Sequence, residues 1–184
     1  TQRVQKLPRA DEFLPLWQLD LQQQIQDARY QRLVRARPHL TSESECVARS
    51  GGLTGLPLLL SGSLDLCASP GFDARETGLL REVLLLAQRM HHLSYLLSGW
   101  QRACASGDLT GAAVAHGVMT GVVSPRELSP EEGDVHGPMI AERLRAARVD
   151  SHFLTDWLRA RHQTRDLATR LRSVDVQRLL WLQL

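Results

Sequence analysis

Lysine is almost missing from this 184-residue chain: Lys6 is the sole one, so nearly all basic side chains are arginines. Arginine carries a flat fork of donors suited to carboxylates and phosphates, although a GC-rich coding sequence gives the same bias. Aromatic residues make up only 5% of the chain, and isoleucine and threonine are scarce. Leu, Ala, Arg and Gln dominate instead; none of these is branched at Cβ and they lose little rotamer freedom in a helix, which argues against a β-rich fold. Cysteine is limited to Cys46, Cys67 and Cys104, an odd number at wide spacing. That excludes a disulfide framework and a zinc motif, and leaves buried free thiols suited to a reducing cytosol. No Asp-Asp pair occurs anywhere. Net charge is only +2 and no block of like charge stands out, which gives no support to a nucleic-acid or anionic-membrane partner. No apolar run is long enough to span a bilayer, and no signal-peptide pattern is found, so the expected location is cytoplasmic. The first residue is Thr1 rather than Met, which makes a missing N-terminal segment an expectation.

What is present is helical periodicity. Residues 1–9 read as a flexible lead, and 10–184 as a single α-helical domain or the C-terminal part of a larger one. From Asp11 a helix is expected with Leu14, Trp17, Leu21, Ile25 and Ala28 on its apolar stripe, stopped by Pro38. Ser42 followed by Glu45 fits a capping box for the next helix, which should break at Gly51-Gly52 and resume over 54–66. Residues 73–105 form the longest predicted helix, with Leu79, Val83, Leu86, Met90, Leu93, Leu97, Trp100 and Cys104 in one stripe. A short helix is expected within 111–123. Ser129-Pro130-Glu131-Glu132 carries a strong helix start, one long helix follows over 139–162, and 166–184 completes the bundle. No alternating run reads as a strand, so the fold class is all-α.

Opposite the apolar stripe of the long helix lie Leu84, Gln88, His91, Tyr95, Gly99 and Arg102. Such a mixed face reads either as the wall of a ligand cavity or as a face half covered by neighbouring helices. His91 and His92 cannot share a helix face, so no joint metal site is expected there. His152 and Asp156, four apart on a helix, read as a surface pair. Asp65, Glu76 and Glu82 lack partners at metal-ligand spacing, and no Ser-His-Asp or Cys-His constellation can be assigned. No metal ligand is expected within the chain.

Arg49, followed by Ser50-Gly51-Gly52, is an arginine at a helix break. The run from Leu93 to Asp108 carries a tryptophan before the basic Arg102 and closes on Gly107-Asp108. Together these features resemble the C-terminal half of class I terpene synthases. The resemblance implies an all-α bundle around an apolar pocket, with Arg49 and Arg102 holding the diphosphate of a prenyl diphosphate. Leu84, Gln88, His91, Tyr95 and Gly99 would line the cavity. It also implies Mg²⁺, here with ligands largely outside this chain, because the three metal positions fall on Tyr95, Gly99 and Ala103. None of these offers the hard oxygen that Mg²⁺ needs. The family's aspartate-rich motif and its terminal Arg-Tyr pair are absent too. The expected function is therefore ionisation and cyclisation of a prenyl diphosphate. The alternative is a non-catalytic scaffold or accessory domain that kept the fold and lost the metals, or a helical module whose apolar stripe forms a homodimer seam.

Overall fold

The computed structural model of the chain describes residues 3–49, 58–128 and 136–176. Among them the chain forms seven α-helices and no strand: α1 (Ala10–Ala36), α2 (Glu43–Arg49), α3 (Leu58–Ala68), α4 (Thr77–Ala105), α5 (Ala112–Met119), α6 (Gly137–Ala146) and α7 (Val149–Ala168). The expected all-α class holds. The predicted break at Gly51-Gly52 and the helix start at Ser129-Pro130 lie outside the described residues.

α4 is the axis of the bundle and packs chiefly on α7, α6 and α3. Its predicted stripe is largely inside: Val83, Met90, Leu93, Trp100 and Cys104 are buried, while Leu79, Leu86 and Leu97 are half-buried. Two apolar clusters share this helix. One joins Leu80, Val83, Leu84 and Ala87 to Phe13, Leu66, Phe72 and Leu171. The other joins Leu93, Leu96, Trp100 and Cys104 to α5, α6 and Phe153 of α7. Met90, buried but in neither cluster, puts the seam between the two at its level of α4.

α1 departs from its predicted orientation. The apolar stripe was expected inside, yet Leu21 and Ile25 are 36% and 48% exposed, and Ala28 is exposed. The inward face is instead Phe13, Asp20, Asp27 and Val34, with Gln31 beside them. Paired charge is the reason. Both carboxylate oxygens of Asp20 accept from Arg81 of α4, at 2.7 and 2.9 Å, and the Ser63 hydroxyl of α3 donates to the same group. Asp27 accepts from Gln23 at 2.8 Å and lies 3.9 Å from Arg49. A buried carboxylate with a forked partner belongs inside, but a hydrophobicity count places it outside.

Three further boundaries differ from expectation. The single helix over 139–162 is two: Arg148, in the left-handed conformation at φ 55°, turns the chain between α6 and α7. No glycine or proline marks that turn. α7 runs on to Ala168, past the expected boundary near Asp166. Residues 3–9, expected as a flexible lead, are docked: Val4 and Leu7 pack on the first cluster, and the Arg9 amide donates to the Cys67 carbonyl at 2.9 Å. Downstream, Glu76 accepts from the backbone of Arg172 and Ser173 and from the Ser173 hydroxyl. These bonds tie the segment after α7 to the start of α4 and hold the Glu76 carboxyl below its usual range.

Gly137, the first residue of α6, lies directly against the backbone carbonyl of Cys104, where a Cβ would collide. Gly99, by contrast, sits in the interior of α4 with open space around it. Gly137→Ala is expected to lower stability by about 1–3 kcal/mol, since backbone cannot yield as a side chain can. Gly99→Ala should raise it by up to about 1 kcal/mol through helix propensity. Thermal or urea unfolding of both variants checks the pair of opposite signs.

Candidate functional site

Ser42 occupies the N-cap position of α2, its carbonyl accepting the Cys46 amide at 2.8 Å. That start places Glu43 in the first turn, where a carboxylate complements the helix dipole. From there its two oxygens reach two other helices. Oε2 lies 2.8 Å from Nδ1 of His116 on α5, and Oε1 lies 2.7 Å from Nε2 of His152 on α7. The two imidazoles stack with centroids 4.1 Å apart and planes 22° from parallel, and both meet Phe153 edge-on. All three side chains are partly buried, and their ligand atoms all lie within 4.8 Å of one another. A carboxylate and two imidazoles at this spacing are a donor set for a transition-metal ion.

Glu43 also forms part of the wall of a cleft of about 480 Å³. Val47 and Ala48 of α2, Leu85 and Leu86 of α4 and Asp156 of α7 contribute to the same wall, as do Glu82, Gln88, Arg89 and His92. Arg89 is paired with Asp156 at 2.8 Å. Three carboxylates against one guanidinium leave the lining acidic. His92 is 7% exposed, and neither of its ring nitrogens has a hydrogen-bond partner. The buried Oε1 of Gln88 has none either. Buried polar atoms in a native fold are nearly always satisfied, so three unpartnered atoms on two residues of one cleft wall set this wall apart from the rest of the bundle. Burial, with the neighbouring His91 charge adding to it, pushes the His92 pKa down to about 4, so this ring is neutral at physiological pH.

The residues singled out from sequence are distributed differently. Only Gln88 of the predicted cavity face lines the cleft. Leu84 is 3% exposed and packed in the core against Gly62, where a Cβ would strike it. His91 is exposed and Tyr95 is 63% exposed, so neither lines an enclosed cavity, and nothing lies against the α-carbon of Gly99. The face of α4 that lines the cleft is rotated by about one residue, onto Leu85, Gln88, Arg89 and His92. Arg49 lies between Asp27 at 3.9 Å and Glu45 at 3.8 Å, with its guanidinium over the Tyr30 ring. The Arg102 side chain is exposed and has no hydrogen bond or ion pair among the described residues. The predicted surface pair of His152 and Asp156 is not formed: the histidine turns to Glu43, the aspartate to Arg89 and Arg159.

All three cysteines are buried and none is in a disulfide, as expected. Burial pushes the Cys46 and Cys104 thiols up to about 11, which leaves them protonated and poor nucleophiles.

Sequence reasoning missed Glu43 and His116 and gave His152 to Asp156 instead. His116 and His152 lie 73 and 109 residues from Glu43, so no local spacing joins them. The one signal was the helix start at Ser42, which fixes where Glu43 can reach.

No protein-family model matches this chain, and no curated protein or solved structure matches it.

His92 gives a prediction with a defined sign. The unfolded chain takes up a proton at its ordinary pKa of 6.5, whereas the folded chain does so only near 4. Stability therefore falls as pH drops from 6.5 towards 4, by about 3 kcal/mol in all. His92→Leu should flatten that acid limb in urea unfolding. It should also raise Tm at pH 7 by a few degrees, because an orphaned buried polar group costs about 1–3 kcal/mol. A lower Tm in the variant would show that the imidazole is satisfied.

Proposed function

We propose that this chain is a non-catalytic helical domain that holds a small amine-bearing organic molecule in the cleft between α2, α4 and α7. One observation carries the reading: His92 and Gln88, which hold buried polar atoms without a partner, line a cleft whose charged lining is mainly acidic. The Gln88 oxygen accepts from an amine N–H, and the neutral His92 ring offers one donor and one acceptor. Glu43 and Glu82 attract an ammonium group, while Val47, Ala48, Leu85 and Leu86 receive its apolar body. A volume of about 480 Å³ suits a ligand of that size.

The rival reading, ionisation of a prenyl diphosphate with Mg²⁺, has weaker support. An acidic cleft repels a diphosphate. Arg49 already stands between two carboxylates. Arg102 lies ten residues beyond His92 on α4, roughly 15 Å along the helix at 1.5 Å per residue. The mixed imidazole and carboxylate set around Glu43 also suits Mg²⁺ poorly.

Calorimetric titration with benzylamine separates the two. One saturable site is expected, weakened at least about tenfold in His92→Leu, the tenfold being 1.4 kcal/mol of lost contact. Benzoate should show no binding. Binding of dimethylallyl diphosphate with Mg²⁺ that disappears in Arg49→Ala and Arg102→Ala would overturn the amine reading in favour of the prenyl one.

A further inference from the structure

We infer that Glu43, His116 and His152 form a binding site for one divalent transition-metal ion of the zinc type. Three helices that are distant in sequence bring one donor atom each within 4.8 Å of the others: a carboxylate oxygen from α2, Nδ1 from α5 and Nε2 from α7. Two rings stacked at 4.1 Å, each turned to aim one nitrogen at the same carboxylate, leave little freedom to be lost on binding. Phe153, 0% exposed and edge-on to both rings, fixes their planes from behind.

The present contacts at 2.7 and 2.8 Å are hydrogen bonds, in which each ring donates an N–H to Glu43. A metal takes the lone pairs of those same nitrogens, so each neutral ring must carry its proton on the other nitrogen, Nε2 of His116 and Nδ1 of His152. The change is one of tautomer. Metal–ligand distances of about 2.0–2.2 Å are reached by small side-chain rotations, since the donor atoms already lie within 4.8 Å of each other. Imidazole donors favour zinc and its transition-metal neighbours over Mg²⁺ and Ca²⁺, which prefer all-oxygen shells. Three protein ligands leave a tetrahedral ion with one open position. The site goes beyond the amine reading and does not depend on it, because His116 and His152 lie outside the cleft lining and only Glu43 is shared.

The test uses the whole chain, stripped with a chelator and titrated with Zn²⁺ by calorimetry and with Co²⁺ by visible absorption. One equivalent of each should bind, with an intense tetrahedral cobalt band, and excess Mg²⁺ should not displace it. His116→Ala, His152→Ala and Glu43→Gln should each weaken Zn²⁺ binding by more than the roughly 10–100-fold that loss of an outer-sphere partner costs. His92→Leu should bind Zn²⁺ as the parent does. Far-UV circular dichroism confirms that each variant is folded; His116→Gln and His152→Gln replace any alanine variant that is not. Absence of Zn²⁺ binding by the folded parent overturns the inference, as does binding that survives in all three ligand variants. Zn²⁺ binding without benzylamine binding leaves this site standing and removes the amine reading; the reverse result removes this site alone.

Discussion

A single carboxylate, that of Glu43, holds the polar side of this bundle together. α2 is a seven-residue helix, too short to persist by its own hydrogen bonds. It stays in place because Cys46 and Val47 enter an apolar cluster and because Glu43 is gripped by imidazoles from α5 and α7. Those two bonds set the position of the whole helix. With α2 fixed there, Val47 and Ala48 form one wall of the cleft and Leu85 and Leu86 of α4 another.

The cleft also depends on how α4 divides its packing. The helix serves two apolar clusters in succession, and their seam falls at Met90. A seam is where interdigitation is least complete, and it is here that the unpartnered atoms of Gln88 and His92 lie. His92 would be better accommodated as an apolar residue if stability were the only demand on the position. Local cost of this kind is tolerated where a fold has a task, while the rest of the chain keeps to the rules of burial and pairing. Asp20 makes the contrast clear. It is just as buried as His92, yet both of its oxygens are satisfied by Arg81. It is structural, whereas His92 is not accounted for by structure alone.

Much of the architecture could be read from the chain. The scarcity of β-branched and aromatic residues, and the three-four spacing through Val83, Met90, Leu93 and Trp100, identified an all-α fold and its central helix. Pro38 and Ser42 marked helix boundaries for reasons of backbone chemistry that hold in any context. Orientation was less legible. In α1 the stripe through Leu21 and Ile25 was read as the inner face, although the helix turns Asp20 and Asp27 inward. On α4 the candidate face was displaced by about one residue, which exchanged His92 for His91 and put Leu84 in a cavity rather than in the core. The chain reversal at Arg148 left no local trace, since nothing about an arginine announces a left-handed backbone.

Composition and periodicity determined where helices form and that they pack on one another, because propensity, capping and apolar spacing act within a few turns of chain. They also pointed to buried thiols. Only the tertiary structure decided which polar groups meet. Glu43, His116 and His152 are brought together by the docking of three separate helices, and His92 is left unpartnered by the meeting of two cores. Such encounters depend on angles and distances between helices, set by the sum of many side-chain contacts, and no stretch of sequence encodes them on its own.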